Sequence, residues 1–445
     1  MKAKSAKAKF TNRSVHPISM GCAKNQVDLE RMLGEFRQAG FSIQEDPSQS
    51  EYLLVNTCGF IESAKEESVD EILGLTQLRR PGQKILVAGC LSQRYSSDLK
   101  SEMPEVDLWT GTYQPGKILE VIGEHDMANV CRREPQKRVA MGNTPHHAYL
   151  KIAEGCNRNC SFCAIPGIRG KQNSFDIPEL VAEAQYLVKH GVKEISLIAQ
   201  DLTFYGRESG GPQTNLETLV RALLSDTDLH WVRLMYAYPE FIDDSLLRLM
   251  ADNNRLCSYL DMPIQHASDA VLTRMRRKTR GKELRELLLR FRSTVPEISL
   301  RTTVLVGFPG ETEAEFEELM QLANEVKFER LGGFTYSDEE GTHAATLAHK
   351  IPHDIAQERL DRLLAQQSEI SLERNQSLLG RELEVVLDEV AEESEFHFYG
   401  RSQWDALEVD NGIRVLEGDG DVGQFRMARV VDASEFDLDV VLLPQ

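Results

Sequence analysis

The stretch "GCNRNCSFC" sets Cys156, Cys160 and Cys163 in one C-x3-C-x2-C loop. Three thiols on so tight a loop can offer three thiolates to one metal centre. A 4Fe–4S cluster ordinarily takes four cysteines. Three would leave one iron open to an outside ligand, as a catalytic metal requires. A structural zinc site would want a fourth ligand, and none lies adjacent. Cys131 and Cys257 sit in unrelated contexts and read as packing residues.

A second set is spread more widely. Cys22, Cys58 and Cys90 lie 36 and 32 residues apart, and each ends an apolar run: "HPISMGC", "EYLLVNTC" and "KILVAGC". Between the runs, "VDLERMLGEFRQAGF" and "ESAKEESVDEILGLTQL" carry apolar residues at helical spacing. This βαβαβ pattern predicts a parallel sheet with helices packed on it. All carboxyl ends of a parallel sheet lie on one edge, where ligand sites form. One cysteine there would be a small hydrophobe. Three at equivalent strand ends point to a metal or cluster site.

The elements that must position the first set follow. From about Pro145, strand candidates "YLKIAEG", "KEISLIAQ", "HWVRLMYAY", "CSYLDMPI", "SLRTTVLVGF" and "RLGGFTYS" alternate with helical patterns such as "IPELVAEAQYLVKHG" and "EAEFEELMQLANEV". Six β/α repeats make three-quarters of a TIM-type barrel, and the Cys156 loop falls at the carboxyl end of its first strand, where barrel enzymes place their sites. An incomplete barrel leaves a lateral opening suited to a macromolecular substrate. The long helix "DIAQERLDRLLAQQSEISLERNQSLLG" then leads to five short strands with Gly and Asp turns, which predict a small closed β-barrel.

The predicted fold class is thus α/β and multidomain. A chain of 445 residues accommodates three domains. The expected division is a basic tail over 1–13 without fixed structure, an α/β domain over 14–126, a β/α barrel over 142–373 and a small β-barrel over 375–445. No apolar run approaches the roughly 18 residues of a membrane span. The first residues, "MKAKSAKAKF", have no apolar segment behind them and do not form a secretory signal. The expectation is a cytoplasmic protein with no membrane partner. Disulfides are rare there, so eight cysteines point to metal ligation or redox chemistry. The net charge is −19, and −12 of it lies from Asn375 onward, where seventeen acidic residues face five basic ones. That segment is either a solvated surface or a docking face for a basic partner.

The C-x3-C-x2-C loop resembles the signature of the radical S-adenosylmethionine (SAM) superfamily. Phe162 matches its aromatic residue before the last cysteine; read alone, Phe162 is a packing residue. The N-terminal set resembles that of the methylthiotransferases, whose N-terminal domain binds an auxiliary 4Fe–4S cluster through three cysteines. The terminal β-barrel resembles their TRAM domain, so the likeness covers nearly the whole chain. "MGCAKNQVDLE", "VNTCGFIESAKEES", "AQDLTFYG", "YLDMPIQHASDAVLTRMRR", "TTVLVGFPGETEAEF", "FTYSDEEGTHAA" and "GRSQWDALEVDNG" are similar to the RimO-type branch. The tRNA-modifying relatives usually show "QSGS" where this chain has "QHAS". Ala23 and Gln26 depart from the branch's usual proline and leucine, and neither is a presumed ligand.

The resemblance implies SAM and two 4Fe–4S clusters as cofactors. Cys156, Cys160 and Cys163 would be the catalytic set, whose cluster cleaves SAM to a 5′-deoxyadenosyl radical. Cys22, Cys58 and Cys90 would hold the auxiliary cluster that delivers sulfur. The implied reaction replaces a β-carbon hydrogen of an aspartate in small-subunit ribosomal protein S-twelve, free or assembled, with a methylthio group. One SAM methylates the sulfur, a second supplies the radical, and a low-potential donor supplies electrons. Radical and sulfur must come within bond-forming reach, so the substrate is expected between the clusters. Gln200 and Asp201, after the second barrel strand, could contact the methionyl or ribose part of SAM or could equally cap local structure. Gln265 and His266 follow the fourth strand; such a histidine is more often structural. Arg301, early in the fifth strand, could pair with a carboxylate inside the barrel. The "VGFPGET" glycines suit close approach of backbone to a ligand, while Pro309 sets the turn before Glu311. Two other readings are a tRNA (adenosine) methylthiotransferase and a non-catalytic iron–sulfur or zinc scaffold. The acidic terminal segment should repel tRNA phosphates and could steer a basic protein.

Overall fold

The computed structural model describes residues 13–131, 138–142, 144–208, 214–392, 395–410 and 412–444. The chain divides into two compact units, Met1–Met141 with Ala164–Gly170, and Gly142–Cys163 with Lys171–Gln445. Most of the expected N-terminal tail lies outside the described residues. Arg13 is described, and its backbone N–H and guanidinium bind Glu51 and Glu124 at 2.9 Å each.

The first unit is a five-stranded parallel sheet in the order β2-β1-β3-β4-β5. Its strands are β1 (Ser14–Ser19), β2 (Ser42–Ile43), β3 (Tyr52–Thr57), β4 (Lys84–Gly89) and β5 (Leu108–Trp109). The helices are α1 (Ala23–Gln38), α2 (Glu62–Leu78), α3 (Cys90–Glu102), α4 (Lys117–Val121), α5 (His125–Cys131) and α6 (Ile165–Arg169). The "LLV" and "ILVA" runs form the buried centres of β3 and β4, apolar toward both sides because helices cover both sheet faces. Leu29, Met32, Leu33 and Phe36 of α1 fill one layer; Ile72 and Leu75 of α2 with Leu91 and Leu99 of α3 fill the other. The three strands expected from the sequence are the central ones. β2 and β5, two residues each, are too short for a periodic signal and form by pairing with the sheet edges.

The second unit opens with a six-stranded parallel sheet: β6 (His147–Lys151), β9 (Glu194–Ile198), β10 (Trp231–Leu234), β11 (Leu256–Asp261), β12 (Ser299–Val306) and β13 (Arg330–Thr335). A small hairpin, β7 (Ala153–Glu154) with β8 (Asn173–Ser174), leaves it after β6. Helices α7 (Ile177–Lys189), α8 (Leu216–Asp226), α9 (Asp244–Asp252), α10 (Asp269–Arg274), α11 (Gly281–Thr294) and α12 (Glu313–Val326) connect the strands. The sheet does not close, as six repeats predict; β6 and β13 are its two edges. Helix α13 (His353–Gln376) packs on β13 and leads through the short turn 377–381 to the last strands, and at its end Asn375 donates to the Ser434 carbonyl at 2.8 Å. Strands β14 (Glu382–Val390), β15 (Phe398–Ser402), β16 (Ile413–Glu417), β17 (Phe425–Ala433) and β18 (Leu438–Leu442) form a closed barrel. Among the described residues no helix is long and apolar enough to cross a membrane.

The small barrel and the β/α sheet, expected as separate domains, share one compact unit. Buried ion pairs join them. Glu194 at the start of β9 pairs with Arg233 of β10 and Arg401 of β15. Arg401 also grips Asp388 of β14, which accepts from His146 at 2.8 Å. Asp405 and Asp410, from the "QWDALEVD" segment, pair with Arg330 and Arg301 at 2.8 and 3.0 Å.

His147 beside this network makes stability pH-dependent. Its Nε2 meets Ser196 Oγ at 3.0 Å within the core. Burial pushes its pKa down to about 3, with Arg401 and Arg233 adding to the shift against Glu194 and Asp388. The unfolded chain binds a proton below about pH 6.5 that the folded chain refuses until about pH 3. Stability is therefore complete above that window and is lost as pH falls through it. Between pH 7 and pH 5 this group alone should remove about 2 kcal/mol. Urea unfolding of the wild type and of His147→Gln at the two pH values should show a smaller pH difference in the variant.

Candidate active site

In the second unit, the loop bearing Cys156, Cys160 and Cys163 is pinned by Ser161. Its N–H donates to the Met275 carbonyl at 3.0 Å and its hydroxyl to the Arg274 carbonyl at 2.8 Å, while its own carbonyl accepts from Ala344 N–H at 2.7 Å. Cys163 N–H closes the turn on the Cys160 carbonyl at 3.2 Å. Phe162 drives the loop onto Val271, Met275 and Ala344, with its ring edge-on to Phe308 at 6.4 Å. Phe162 is half-buried and packs the loop in place beside the cysteines. Cys156 is buried, and Cys160 and Cys163 are half-buried. Burial, with Asp201 and Cys160 nearby, pushes the Cys156 thiol up to about 11 against the pull of the Arg158 N–H. The Arg158 N–H donates to Cys156 Sγ at 3.4 Å, and Arg277 reaches Cys160 Sγ at 3.9 Å.

Beside this loop, at the carboxyl end of β9, stands a polar cluster. Arg158 donates to Asp201 at 2.5 Å and to Glu240 at 2.7 Å, with its guanidinium 3.7 Å from the Tyr238 ring centroid. Asp201 also caps the turn Leu202–Phe204 through Thr203 Oγ1 and the Phe204 N–H. Capping and the Arg158 bridge therefore occupy the Asp201 carboxylate. Gln200 donates to Glu154, whose other oxygen accepts from buried Lys151 at 2.7 Å. Gln200 Oε1, Gln172 Oε1, Arg158 Nη2 and Glu240 Oε1 are buried without hydrogen-bond partners. Four orphaned polar atoms on residues gathered around Asp201 are what a polar ligand would satisfy.

The other expected residues divide. Gln265 is held in the left-handed region at φ 72° by hydrogen bonds to Thr303 and Leu305 on β12. That strain, at a strand's carboxyl end, fits a functional position. His266 is fully buried, accepts from Ser268 N–H at 3.0 Å and faces Glu311 at 3.6 Å; its place is structural. Arg301 donates to Asp261 at 2.8 Å and Asp410 at 3.0 Å, so both sides of its guanidinium are engaged. Of the two cysteines read as packing, Cys131 lies in the core and donates to Gln38 at 3.2 Å, and Cys257 is fully enclosed.

In the first unit, Cys22, Cys58 and Cys90 follow three adjacent strands. Ser19 pairs with Asn56 and Thr57 with Gly89, so β1, β3 and β4 end level on one edge. Cys22 immediately precedes α1 and Cys90 opens α3, and helix N-termini favour thiolates. A Cβ on Gly21 would stand 2.8 Å from Cys58 Cβ, and one on Gly89 would meet the Thr57 carbonyl at 2.4 Å. Both glycines have positive φ, so neither position accepts a side chain. Burial raises the Cys58 thiol and pushes Cys90 up to about 11; each also feels the charge of Cys22. Cys22 is solvent-accessible though closely surrounded by protein. Burial pushes it up, but Lys24, Arg169 and two N–H groups bring it below its usual value.

Sequence reasoning missed the buried polar shell of this set. Asn25 Nδ2 donates to the Met20 and Thr57 carbonyls, while its Oδ1 accepts from Arg169 at 2.5 Å and faces the Cys90 thiol at 3.6 Å. Asp28 pairs with Arg169 at 2.9 Å. The available signal was two polar residues, Asn25 and Asp28, at i, i+3 on the face α1 buries. Among the described residues no three His, Cys, Asp or Glu side chains close on a single metal ion. A cubane cluster seats each thiolate on a different iron and so needs no such closure. Three soft thiolates per site, glycine cradles and orphaned donors fit iron–sulfur clusters with SAM.

Residues 150–323 match the Radical SAM superfamily, 14–111 the Uncharacterized protein family UPF0004 and 379–442 the TRAM domain. The chain is 43% identical over 441 residues to the ribosomal protein uS12 methylthiotransferase RimO of Syntrophotalea carbinolica, covering 96% of each chain. It is 44% identical to the protein of that name from Anaeromyxobacter sp. (strain K), over 95% of this chain and 92% of the other. Among solved structures it is similar to the radical S-adenosylmethionine methyltransferase TsrM of Kitasatospora setae, with cobalamin and a 4Fe–4S cluster bound. The TM-score is 0.52 at 13% identity, covering 73% of this chain and 75% of that one, a likeness of fold alone.

Proposed function

Because the chain belongs to the ribosomal protein uS12 methylthiotransferase family, we propose that it methylthiolates the β-carbon of an aspartate in that small-subunit ribosomal protein. Near-full-length identity above 40% carries this reading. Cys156, Cys160 and Cys163 would hold one 4Fe–4S cluster and Cys22, Cys58 and Cys90 a second. When bound, these groups and SAM supply reductive radical formation and a sulfur-bearing site. The protein's own residues do the positioning. Ser161 and Phe162 hold the cysteine loop, while Gln200, Gln172 and the Arg158–Glu240 pair offer unpaired polar atoms at the mouth. Gln265 stands strained beyond the carboxyl end of β11, and Arg301 braces β12 beside it. The setting is the cytoplasm, with a low-potential electron donor.

The acidic small barrel supports a basic protein partner over tRNA, although part of its charge is structural. Asp388, Asp405 and Asp410 are buried in pairs with Arg401, Arg330 and Arg301. Mass spectrometry of ribosomal proteins and tRNA from cells with and without the gene tests the reading. The ribosomal protein should lose one methylthio group in the deletion. An unchanged ribosomal protein beside a lost tRNA methylthio mark would overturn the choice of substrate.

A further inference from the structure

The three-thiol set of the first unit has a buried cation beside it. Arg169 ends α6, and its side chain is 2% exposed. Its Nη1 donates to Asp28 Oδ2 at 2.9 Å, and its Nη2 donates to Asn25 Oδ1 at 2.5 Å. Asp28 is 2% exposed and Asn25 is fully buried, so the fork is held rigidly. Asn25 faces the Cys90 thiol, and Arg169 itself lies within hydrogen-bonding reach of Cys90. The Asn25 N–H donates to the Cys22 carbonyl at 2.8 Å, and a Cβ on Gly21 would stand 3.1 Å from Cys58 Sγ and 3.4 Å from Asn25 Nδ2, so all three cysteines surround the residue that binds the guanidinium. α6 packs against α3, the helix that Cys90 opens, which fixes where the charge sits.

A buried arginine is costly unless something nearby uses its charge. Asp28 compensates it on one side. On the other side are three thiols that would carry negative charge as cluster ligands. We propose that Arg169 is a positioning residue that makes the cluster held by Cys22, Cys58 and Cys90 easier to reduce, with Asp28 setting how much of its charge the cluster feels. Net charge and hydrogen bonds to the sulfurs are the protein's levers on such a potential. A guanidinium suits the role because its planar fork binds Asp28 and Asn25 at once and cannot lose its proton. The residue comes from the segment that follows Cys163 in sequence, so one stretch of chain serves both cysteine sets.

The inference rests on the reading that Cys22, Cys58 and Cys90 hold a cluster. Both can be tested apart in the full-length chain carrying Cys156→Ala, reconstituted anaerobically with iron and sulfide and titrated for reduction by EPR. Adding Arg169→Met should lower the equilibrium constant for reduction at least tenfold, about 59 mV for one electron. Adding Asp28→Asn instead should shift it the other way, because the guanidinium loses its counter-charge. Arg169→Lys keeps the charge and should lie nearer the parent than Arg169→Met does. A role in folding alone would not reverse sign between Arg169→Met and Asp28→Asn. If the Cys156→Ala parent takes up no cluster, the ligand reading fails. If it takes up a cluster whose potential Arg169→Met leaves unchanged, the ligand reading stands and the role of Arg169 is refuted. If Arg169→Met takes up no cluster, the Asp28→Asn shift decides: an upward shift supports the role and none refutes it.

Discussion

Replacing Cys156 with alanine is expected to abolish SAM cleavage and to remove about half the iron that the chain binds. Enzymes supply rate enhancements of about 10⁶-fold or more, so on the proposed reading, in which Cys156 is a ligand of the reacting cluster, its loss takes activity to background. Cys156 sits on a loop already anchored through Ser161 and Phe162, so the fold should survive the change. Cys90→Ala should behave differently. It should also remove about half the iron, yet leave SAM cleavage by the other set largely intact while methylthio product disappears. Iron and sulfide assays, with chromatographic detection of 5′-deoxyadenosine, distinguish the two variants. If Cys90→Ala merely lowered stability with full iron retained, Cys90 would be a packing residue and the auxiliary site would be wrong.

The second large effect concerns stability. Glu194 is fully buried between Arg233 and Arg401. Burial pushes its carboxyl up, but the Arg401 and Arg233 guanidinium groups outweigh burial and hold it well below the usual carboxylate range. Glu194→Gln leaves two arginines without their shared charge and should cost about 3–5 kcal/mol, the usual result of breaking a buried pair from one side. Arg401→Met should cost a similar amount, because Glu194 and Asp388 each lose one buried guanidinium and keep only Arg233 and His146. The two changes together should cost less than their sum, since each removes the penalty that the other creates. Guanidinium unfolding followed by tryptophan fluorescence measures all three. The sign with pH follows from the depressed carboxyl. The stabilisation is complete above the unfolded value near 4.5 and is lost as acid protonates the folded group. Acid sensitivity below pH 4.5 should therefore weaken in Glu194→Gln.

Much of the molecule was legible in its residues. The thiols of Cys22, Cys58 and Cys90 could be placed on one edge because a βαβαβ pattern permits only one common carboxyl end. Six β/α repeats predicted an open sheet, and the Cys156 loop fell where such sheets carry chemistry. These features follow from local periodicity and from the handedness of parallel connections. The two-residue strands β2 and β5 were not legible, since pairing rather than propensity creates them.

Tertiary structure alone decided which polar residues surround the cysteines. His266 is a structural residue and Arg301 is engaged on both sides, although both lie in motifs that could equally have faced a ligand. Arg169, Asn25 and Asp28 converge beside Cys22, Cys58 and Cys90 from two segments more than a hundred residues apart in the chain. The small β-barrel, separable by its strand pattern, joins the β/α sheet through Glu194, Arg401 and Asp388. A single charged residue carries no period and no partner in sequence. Its role depends on which opposite charge the fold buries beside it, whereas a cysteine at a strand end is placed by the strand itself.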